Sequence, residues 1–345
     1  MKTIFHPHHL KLRHTFRISR ESRDVQETLI VELSDGVISG YGEATANPYY
    51  KVTLNSLQDT IRKINIPDKW ETPTQLWDQL KSQFGNDSFA QCAVDLAAYD
   101  YWGKKNKKPA WQMLGLDINK TLLSNYTIGI DTIPKMVSKM EEFKNWPIFK
   151  IKLGTDNDLE IVKELRKHTK AIFRVDANCG WTMDQTIEFS KALKELNVEF
   201  IEQPLPADKW EDMAKVTQKS ALPIIADESC ITENDVEKCL KSFHGINIKL
   251  TKCGGISPAL RMIKKAKDAG KKVMVGCMTE STVGISAIAQ LLPLLDYVDM
   301  DGAVLLGEDI ADGVKVVNGK AIYPTNINGN GITLKDKPFP VIIDS

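Results

Sequence analysis

The chain has 345 residues, 42% of them apolar and 26% charged, with 45 basic side chains against 45 acidic ones. That length exceeds one ordinary core and points to two, and the zero formal charge gives no reason to expect a nucleic-acid partner or an anionic membrane surface. No run of eighteen apolar residues appears and residues 1–16, studded with His, Lys and Arg, lack an apolar signal segment, so neither a membrane span nor a secretory leader is expected.

In chain order, residues 1 to about 55 read as antiparallel strands. Residues 28–33 are rich in strand formers, Ser34-Asp35-Gly36 is a turn, and residues 37–43 return. His6-Pro7-His8-His9 reads as an exposed leading strand or turn, because no distant motif completes a metal site. From about 56 to 118 the pattern is helical, with Asp87 or Ser88 capping a densely apolar segment that runs to Trp102. From about 122 the rhythm becomes strand, helix, strand, helix. Short apolar strands are expected at 125–130, 148–153, 172–178, 199–204, 223–228, 245–250, 272–277 and 297–301, with amphipathic helices such as 158–168 and 183–196 between them. Eight such units indicate a (β/α)8-type barrel, and no glycine-rich dinucleotide loop follows the first strand to favour a doubly wound sheet. The expected division is an α+β cap over 1–121, rejoined by a tail at 322–345, and a barrel over 122–321. The six cysteines form no C-x-x-C pair, so reduced thiols in a cytoplasmic enzyme are the simpler view. A homo-oligomer is left open.

Barrel chemistry sits at the carboxyl ends of the strands. Three consecutive strands end there in Arg174-Val175-Asp176-Ala177-Asn178, Phe200-Ile201-Glu202-Gln203-Pro204 and Ala226-Asp227-Glu228-Ser229. Asp176, Glu202 and Asp227 are spaced by 26 and 25 residues, one strand–helix–strand step each, so they are expected on neighbouring strands. Any one alone would read as a helix cap or a surface charge. Three in register, without His or Cys nearby, favour a hard divalent cation, Mg²⁺ before Mn²⁺. The strand before this trio carries Lys150-Ile151-Lys152, whose lysines share a face. The strand after it carries Asn247-Ile248-Lys249, with Lys252 close behind. The last strand adds Asp299-Met300-Asp301, two carboxylates on one face that suit a cation such as a substrate ammonium group.

In combination these motifs resemble the enolase superfamily, and within it the muconate lactonizing enzyme subgroup. The resemblance covers nearly the whole chain. It takes in the helix ending Ala98-Tyr99-Asp100-Tyr101-Trp102-Gly103-Lys104, the Lys-x-Lys strand, the three acidic strands, Asn247-Ile248-Lys249 and Gly254-Gly255. Asp299-x-Asp301, with Cys277-Met278-Thr279-Glu280, is similar to the dipeptide epimerases. The resemblance implies a (β/α)7β barrel with a capping domain and one Mg²⁺ per subunit on Asp176, Glu202 and Asp227, with Glu228 as a neighbour. It implies Lys152 and Lys249 as acid/base catalysts, with Lys249 preferred over Lys252. Thr127, Lys150, Cys277, Met278, Thr279, Asp299 and Asp301 would contact the substrate, and Lys150 would also help to depress Lys152.

The implied reaction inverts the α-carbon of the C-terminal residue of a dipeptide such as Ala-Ala, Ala-Val or L-Ala-D/L-Glu. A proton leaves one face and returns on the other through an enediolate, whose charge a divalent cation offsets. Side-chain choice would come from cap loops at 13–23 and 44–52. Arg13, Arg17, Arg20 and Arg23 offer positive charge for an acidic side chain, while Tyr49 and Tyr50 suit a small or apolar one, which is the reading preferred. The alternatives are an N-acylamino-acid racemase, a lactonizing enzyme or an o-succinylbenzoate synthase, none of which needs the Asp299–Asp301 pair. A non-catalytic peptide-binding barrel would have no need for lysines on both faces.

Overall fold

A computed structural model describes residues 1–18, 21–119, 121–335 and 341–342. Strands β1 (Lys2–Arg17), β2 (Ser22–Ser34) and β3 (Ser39–Thr45) form an antiparallel meander, and the tail segment Val341–Ile342 returns to pair with Ile4 and Phe5. Alternation along the strands sends Phe5, Leu29, Val31, Leu33 and Ala44 to one face. Helices α1 (Leu54–Ile61), α2 (Pro73–Leu80) and α3 (Ser88–Lys105) close that face. Gly40 and Gly42 let α3 lie directly on β3: a methyl group at Gly42 would stand 2.0 Å from the Ala93 carbonyl oxygen. Overpacking of that kind costs about 1–3 kcal/mol or more.

Helix α3 is buried almost throughout, because one side joins the cap core through Ala93 and Ala97 and the other joins the barrel core through Cys92, Leu96 and Tyr99. Asp87 is its cap, accepting from the Ala90 amide. Strand β3 starts at Ser39, two residues later than expected. The Asp35 carboxylate accepts from the Val37 and Ile38 amides and Gly36 takes φ +94°, so Val37 belongs to the turn and is 91% exposed. The His6-Pro7-His8-His9 run is strand as expected, but His6 is buried, with Nε2 2.8 Å from Glu32, so only part of that run is exposed.

All eight barrel strands are present: β4 (Tyr126–Ile128), β5 (Ile148–Lys152), β6 (Ile172–Asp176), β7 (Val198–Glu202), β8 (Ile224–Ala226), β9 (Gly245–Lys249), β10 (Lys272–Gly276) and β11 (Tyr297–Asp299). They are parallel and adjacent in chain order. Helices such as Asp158–Arg166 and Met183–Glu195 connect them, whereas β11 is followed by a 3-10 turn, Gly302–Leu305, as the (β/α)7β form requires. Several strands stop short of their expected ends. Asn178, Cys179 and Gln203 have positive φ there, which ends the extended backbone and turns the chain outward at the mouth. The ends of the ladder, β4 and β11, are joined by side chains: Asn125 to Asp299, Asp301 to the Thr127 amide, and Ser124 to the Met300 amide. The seam therefore fixes the two aspartates. Among the described residues no helix is long and apolar enough to cross a membrane.

Candidate active site

Cap and barrel mouth enclose a cavity of about 930 Å³. From the barrel it is lined by Thr127, Lys150, Lys152, Asp227, Lys249, Cys277, Met278, Thr279, Asp299 and Asp301. Asp176 and Glu202 lie just beneath, fully buried. Strand register brings these groups together. Lys152, Asp176 and Glu202 are direct partners across β5, β6 and β7, and Lys249, Gly276 and Asp299 are direct partners across β9, β10 and β11. Parallel neighbours are about 4.8 Å apart, so each trio occupies one level of the mouth. Gly276 is needed in the second trio, where a methyl group would meet the Asn247 side chain at 2.8 Å.

One oxygen from each of Asp176, Glu202 and Asp227 lies within 4.8 Å of the others. This buried, all-oxygen donor set fits a hard divalent cation such as Mg²⁺. The surrounding charges are positive. Lys152 Nζ donates to Asp176 at 2.6 Å, and Lys150 Nζ lies 2.7 Å from Glu202, 3.2 Å from Asp176 and 2.9 Å from Asp299. Lys249 Nζ lies 3.0 Å from Asp227. Burial alone would raise Asp227, yet Lys249 and Lys252 outweigh it and hold the carboxylate well below its usual range. Burial and the Asp176 charge push Glu202 up to about 7.

The sequence suggested lysines depressed towards neutrality. In the protein's own charges Lys249 goes the other way: burial pulls it down, and the Asp227 carboxylate more than reverses this. Lys150 is likewise held well above its ordinary value, burial being outweighed by Asp299, Glu202 and Asp176. Three buried carboxylates within reach account for both.

Strands β5 and β9 are four apart in an eight-stranded barrel, so Lys152 and Lys249 face each other across the mouth. Lys252 is outside the cavity lining and fully buried, donating to the Asp227 carbonyl and carboxylate at 2.5 Å each and to the Cys230 carbonyl at 3.0 Å. Its three donors are committed.

Asp299 and Asp301 form a linked pair beside Cys277. Burial raises Asp301, and Asp299 raises it further, whereas Lys150 overcomes burial to keep Asp299 low. Asp299 is therefore the more acidic member of the pair.

The expected cap loops prove largely regular. Arg13 and Arg17 belong to β1, Arg23 to β2 and residues 44–45 to β3, while Pro48–Tyr50 is a 3-10 turn capped by Asn47. Arg13 is 3.8 Å from Glu142 and away from the cavity, Arg20 lies outside the described residues, and Arg23 does line the cavity. Its guanidinium is held by Glu21 and Gln26. Phe16, Ile18, Val25, Tyr49, Tyr50 and Val52 supply an apolar wall. Burial raises the Tyr50 hydroxyl to about 12, so it stays protonated.

Four supporting residues escaped the sequence reading of roles. Asn247 donates to Glu202 at 2.8 Å, and its place two residues before Lys249 on one strand face was a usable signal. The Gln203 side chain accepts from the Asp227 and Ser229 amides and donates to Ser229 and the Leu205 carbonyl. Asn178 donates to Glu228 at 3.4 Å. Asn125 reaches Asp299, and nothing in its surroundings in the chain announces that.

Comparison with known proteins agrees with this architecture. Residues 1–115 match the family "Mandelate racemase / muconate lactonizing enzyme, N-terminal domain", and residues 135–337 match "Enolase C-terminal domain-like". The chain is 56% identical over 337 residues to the L-Ala-D/L-amino acid epimerase of Flavobacterium johnsoniae, covering 97% of this chain and 100% of that one. It is 57% identical over 328 residues to the protein of the same name from a Maribacter species, covering 94% and 97%. The dipeptide epimerase of Enterococcus faecalis, solved with Mg and L-Leu-L-Tyr, superposes with a TM-score of 0.89 at 29% identity, covering 96% and 99%. The chain belongs to the enolase superfamily, in its mandelate racemase / muconate lactonizing enzyme division, among the dipeptide epimerases.

Proposed function

We propose that this enzyme epimerises dipeptides at the α-carbon of the C-terminal residue, using one Mg²⁺ per subunit and two lysines. The observation that carries the reading is the placement of Lys152 and Lys249 four strands apart around the carboxylate trio, with a separate acidic pair on β11. Asp176, Glu202 and Asp227 would hold the hard cation, which when bound would supply positive charge to offset that of the enediolate. Lys152 and Lys249, on opposite sides of the mouth, are the groups that take the α-proton from carbon and return it. Asp299 and Asp301 hold the α-ammonium, which places the second residue's α-carbon between the lysines. Lys152 works on one face and Lys249 on the other. Proton loss to one and gain from the other inverts the centre.

The second side chain faces the apolar cap wall. Among the described cap residues that line the cavity, Arg23 is balanced by Glu21 and Lys51 is exposed, while the wall itself is mostly apolar, which favours small and apolar residues after L-Ala. The names of the Flavobacterium and Maribacter relatives support a broad second position. The cysteines, free in the described structure, suit a reducing cytoplasm.

The test is α-proton exchange in D₂O followed by NMR. Lys152→Ala and Lys249→Ala should each lose epimerisation in both directions, by more than the hundred- to ten-thousand-fold usual for a general base. Each should still exchange deuterium into one epimer, a different one in each variant. Normal epimerisation by both variants would refute the two-lysine mechanism.

A further inference from the structure

Below the acidic pair, a line of buried polar side chains descends through the barrel. Asn125 immediately precedes β4 and is fully buried. Its Nδ2 donates to Asp299 Oδ1 at 2.8 Å, and its Oδ1 accepts from Arg174 Nη1 at 3.2 Å. Arg174, on β6 two residues before Asp176, is itself only 3% exposed. It is anchored by donation from Nε to Glu199 at 2.8 Å and from Nη1 to the Val298 carbonyl at 2.8 Å.

The chemistry of these groups permits one arrangement of the amide. A guanidinium has only donors and an ionised carboxylate only acceptors. The Asn125 oxygen must therefore meet Arg174 and its NH₂ must meet Asp299; a reversed amide would set donor against donor and oxygen against carboxylate. Lys150 Nζ donates to the second oxygen, Asp299 Oδ2, at 2.9 Å. With a donor on each oxygen, the carboxylate is held in one orientation, and Asp299 lines the cavity. The partner aspartate accepts from the Thr127 amide at Asp301 Oδ2 and is also hydrogen-bonded to Asp299.

We propose that Asn125, oriented by Arg174, is the positioning residue that aims Asp299 at the substrate ammonium, and that this link sets the preference for a free over an acylated amino terminus. The proposal rests on the reading of Asp299 and Asp301 as the ammonium site. Neither Asn125 nor Arg174 lines the cavity, so the effect acts through the direction of one carboxylate.

The experiment compares L-Ala-L-Ala with N-acetyl-L-Ala-L-Ala in Mg²⁺-loaded enzyme. Asn125→Ala removes the donor. Asn125→Asp keeps the shape and an acceptor for Arg174 while turning an oxygen towards Asp299, and it serves if the smaller residue impairs folding. Both should raise KM for the free dipeptide about ten- to hundredfold, the range for a hydrogen bond to a charged group, with a much smaller change in kcat. The ratio of kcat/KM for the free over the acetylated substrate should fall by the same factor, with Mg²⁺ affinity by calorimetry unchanged. A merely structural role would depress both substrates equally. Asp299→Asn separates the two layers of argument. If it collapses the ratio while folded Asn125 variants keep it, the positioning role is overturned and the ammonium site stands. If Asp299→Asn leaves the ratio intact, the ammonium site itself is wrong, and this inference falls with it.

Discussion

Lys249 and Lys252 are three residues apart, equally charged and both beside Asp227, yet their surroundings give them different work. Lys249 opens on the cavity with a single carboxylate contact at 3.0 Å, while Lys252 spends its donors on Asp227 and Cys230 outside the cavity lining. Lys252 therefore holds Asp227 in place, and groups that orient a ligand carboxylate typically matter ten- to a hundredfold in metal affinity. Lys252→Met should weaken Mg²⁺ binding by about that factor in a calorimetric titration. Saturating Mg²⁺ should restore α-proton exchange from both epimers in that variant. Loss of exchange from a single epimer at saturating Mg²⁺ would transfer the proton-moving role from Lys249 to Lys252.

The junction between β3 and the helix Thr282–Ala289 depends on two buried carboxyls with unequal partners. Glu43, reaching over from the cap sheet, accepts from the Ser281 and Gly284 amides and from the Ser281 and Thr28 hydroxyls. Burial raises its pKa, and those donors only partly offset the rise. Glu280, beside it, accepts from the Met278 amide at 2.7 Å and is pushed up to about 8 by burial and by Glu43. An acid whose folded value lies above its unfolded one keeps its proton better in the fold. Its contribution is intact below about pH 4.5 and is lost as the pH rises through about 8. Glu280→Gln retains the neutral shape and escapes that loss. Between pH 5 and pH 8.5 its melting temperature should gain about 2–4 °C relative to the parent protein. A gap that stays constant with pH would show that Glu280 is already ionised in the fold. The same junction carries the Met278–Thr279 wall of the cavity, so its charge state also bears on the shape of the site.

Cap and barrel each have a core, and the cavity lies where they meet. The trio at its floor concentrates three carboxylates: Lys152 pairs with Asp176, Lys249 and Lys252 pair with Asp227, and Lys150 is shared among Asp176, Glu202 and Asp299. A cation that binds this arrangement and not the unfolded chain stabilises the whole fold by linkage, about 2.7 kcal/mol at a hundred times its dissociation constant. Mg²⁺ should thus raise the melting temperature in a concentration-dependent way, and chelation should return it to the metal-free value with loss of epimerisation. Asp176→Asn, Glu202→Gln or Asp227→Asn should each flatten this dependence. An Mg²⁺-induced rise that survives all three substitutions would place the ion elsewhere.

Periodicity and spacing were legible along the chain because they are local. Strands buried on both faces must read as short apolar runs, so all eight barrel strands could be placed, and residues one βα step apart must end on neighbouring strands. That logic reached Asp176, Glu202 and Asp227 and put Lys150 and Lys152 on one face. Strand ends were less legible, since Asn178, Cys179 and Gln203 leave the extended region only under the constraints of the mouth. The run 13–23 looked like a mobile loop, but β1 and β2 pair through part of it in the cap sheet, and His6 became buried for the same reason. Which of the arginines near the first cap loop could meet an acidic substrate was not legible, because the pairing of Arg23 with Glu21 exists only in the folded chain. The bond from Asn125 to Asp299 spans 174 positions. Sequence pattern decides which face a side chain takes, because the backbone repeats; which partner then neutralises or aims that side chain is decided by packing of distant segments, because charge and hydrogen-bond balance exist only once those segments are in contact.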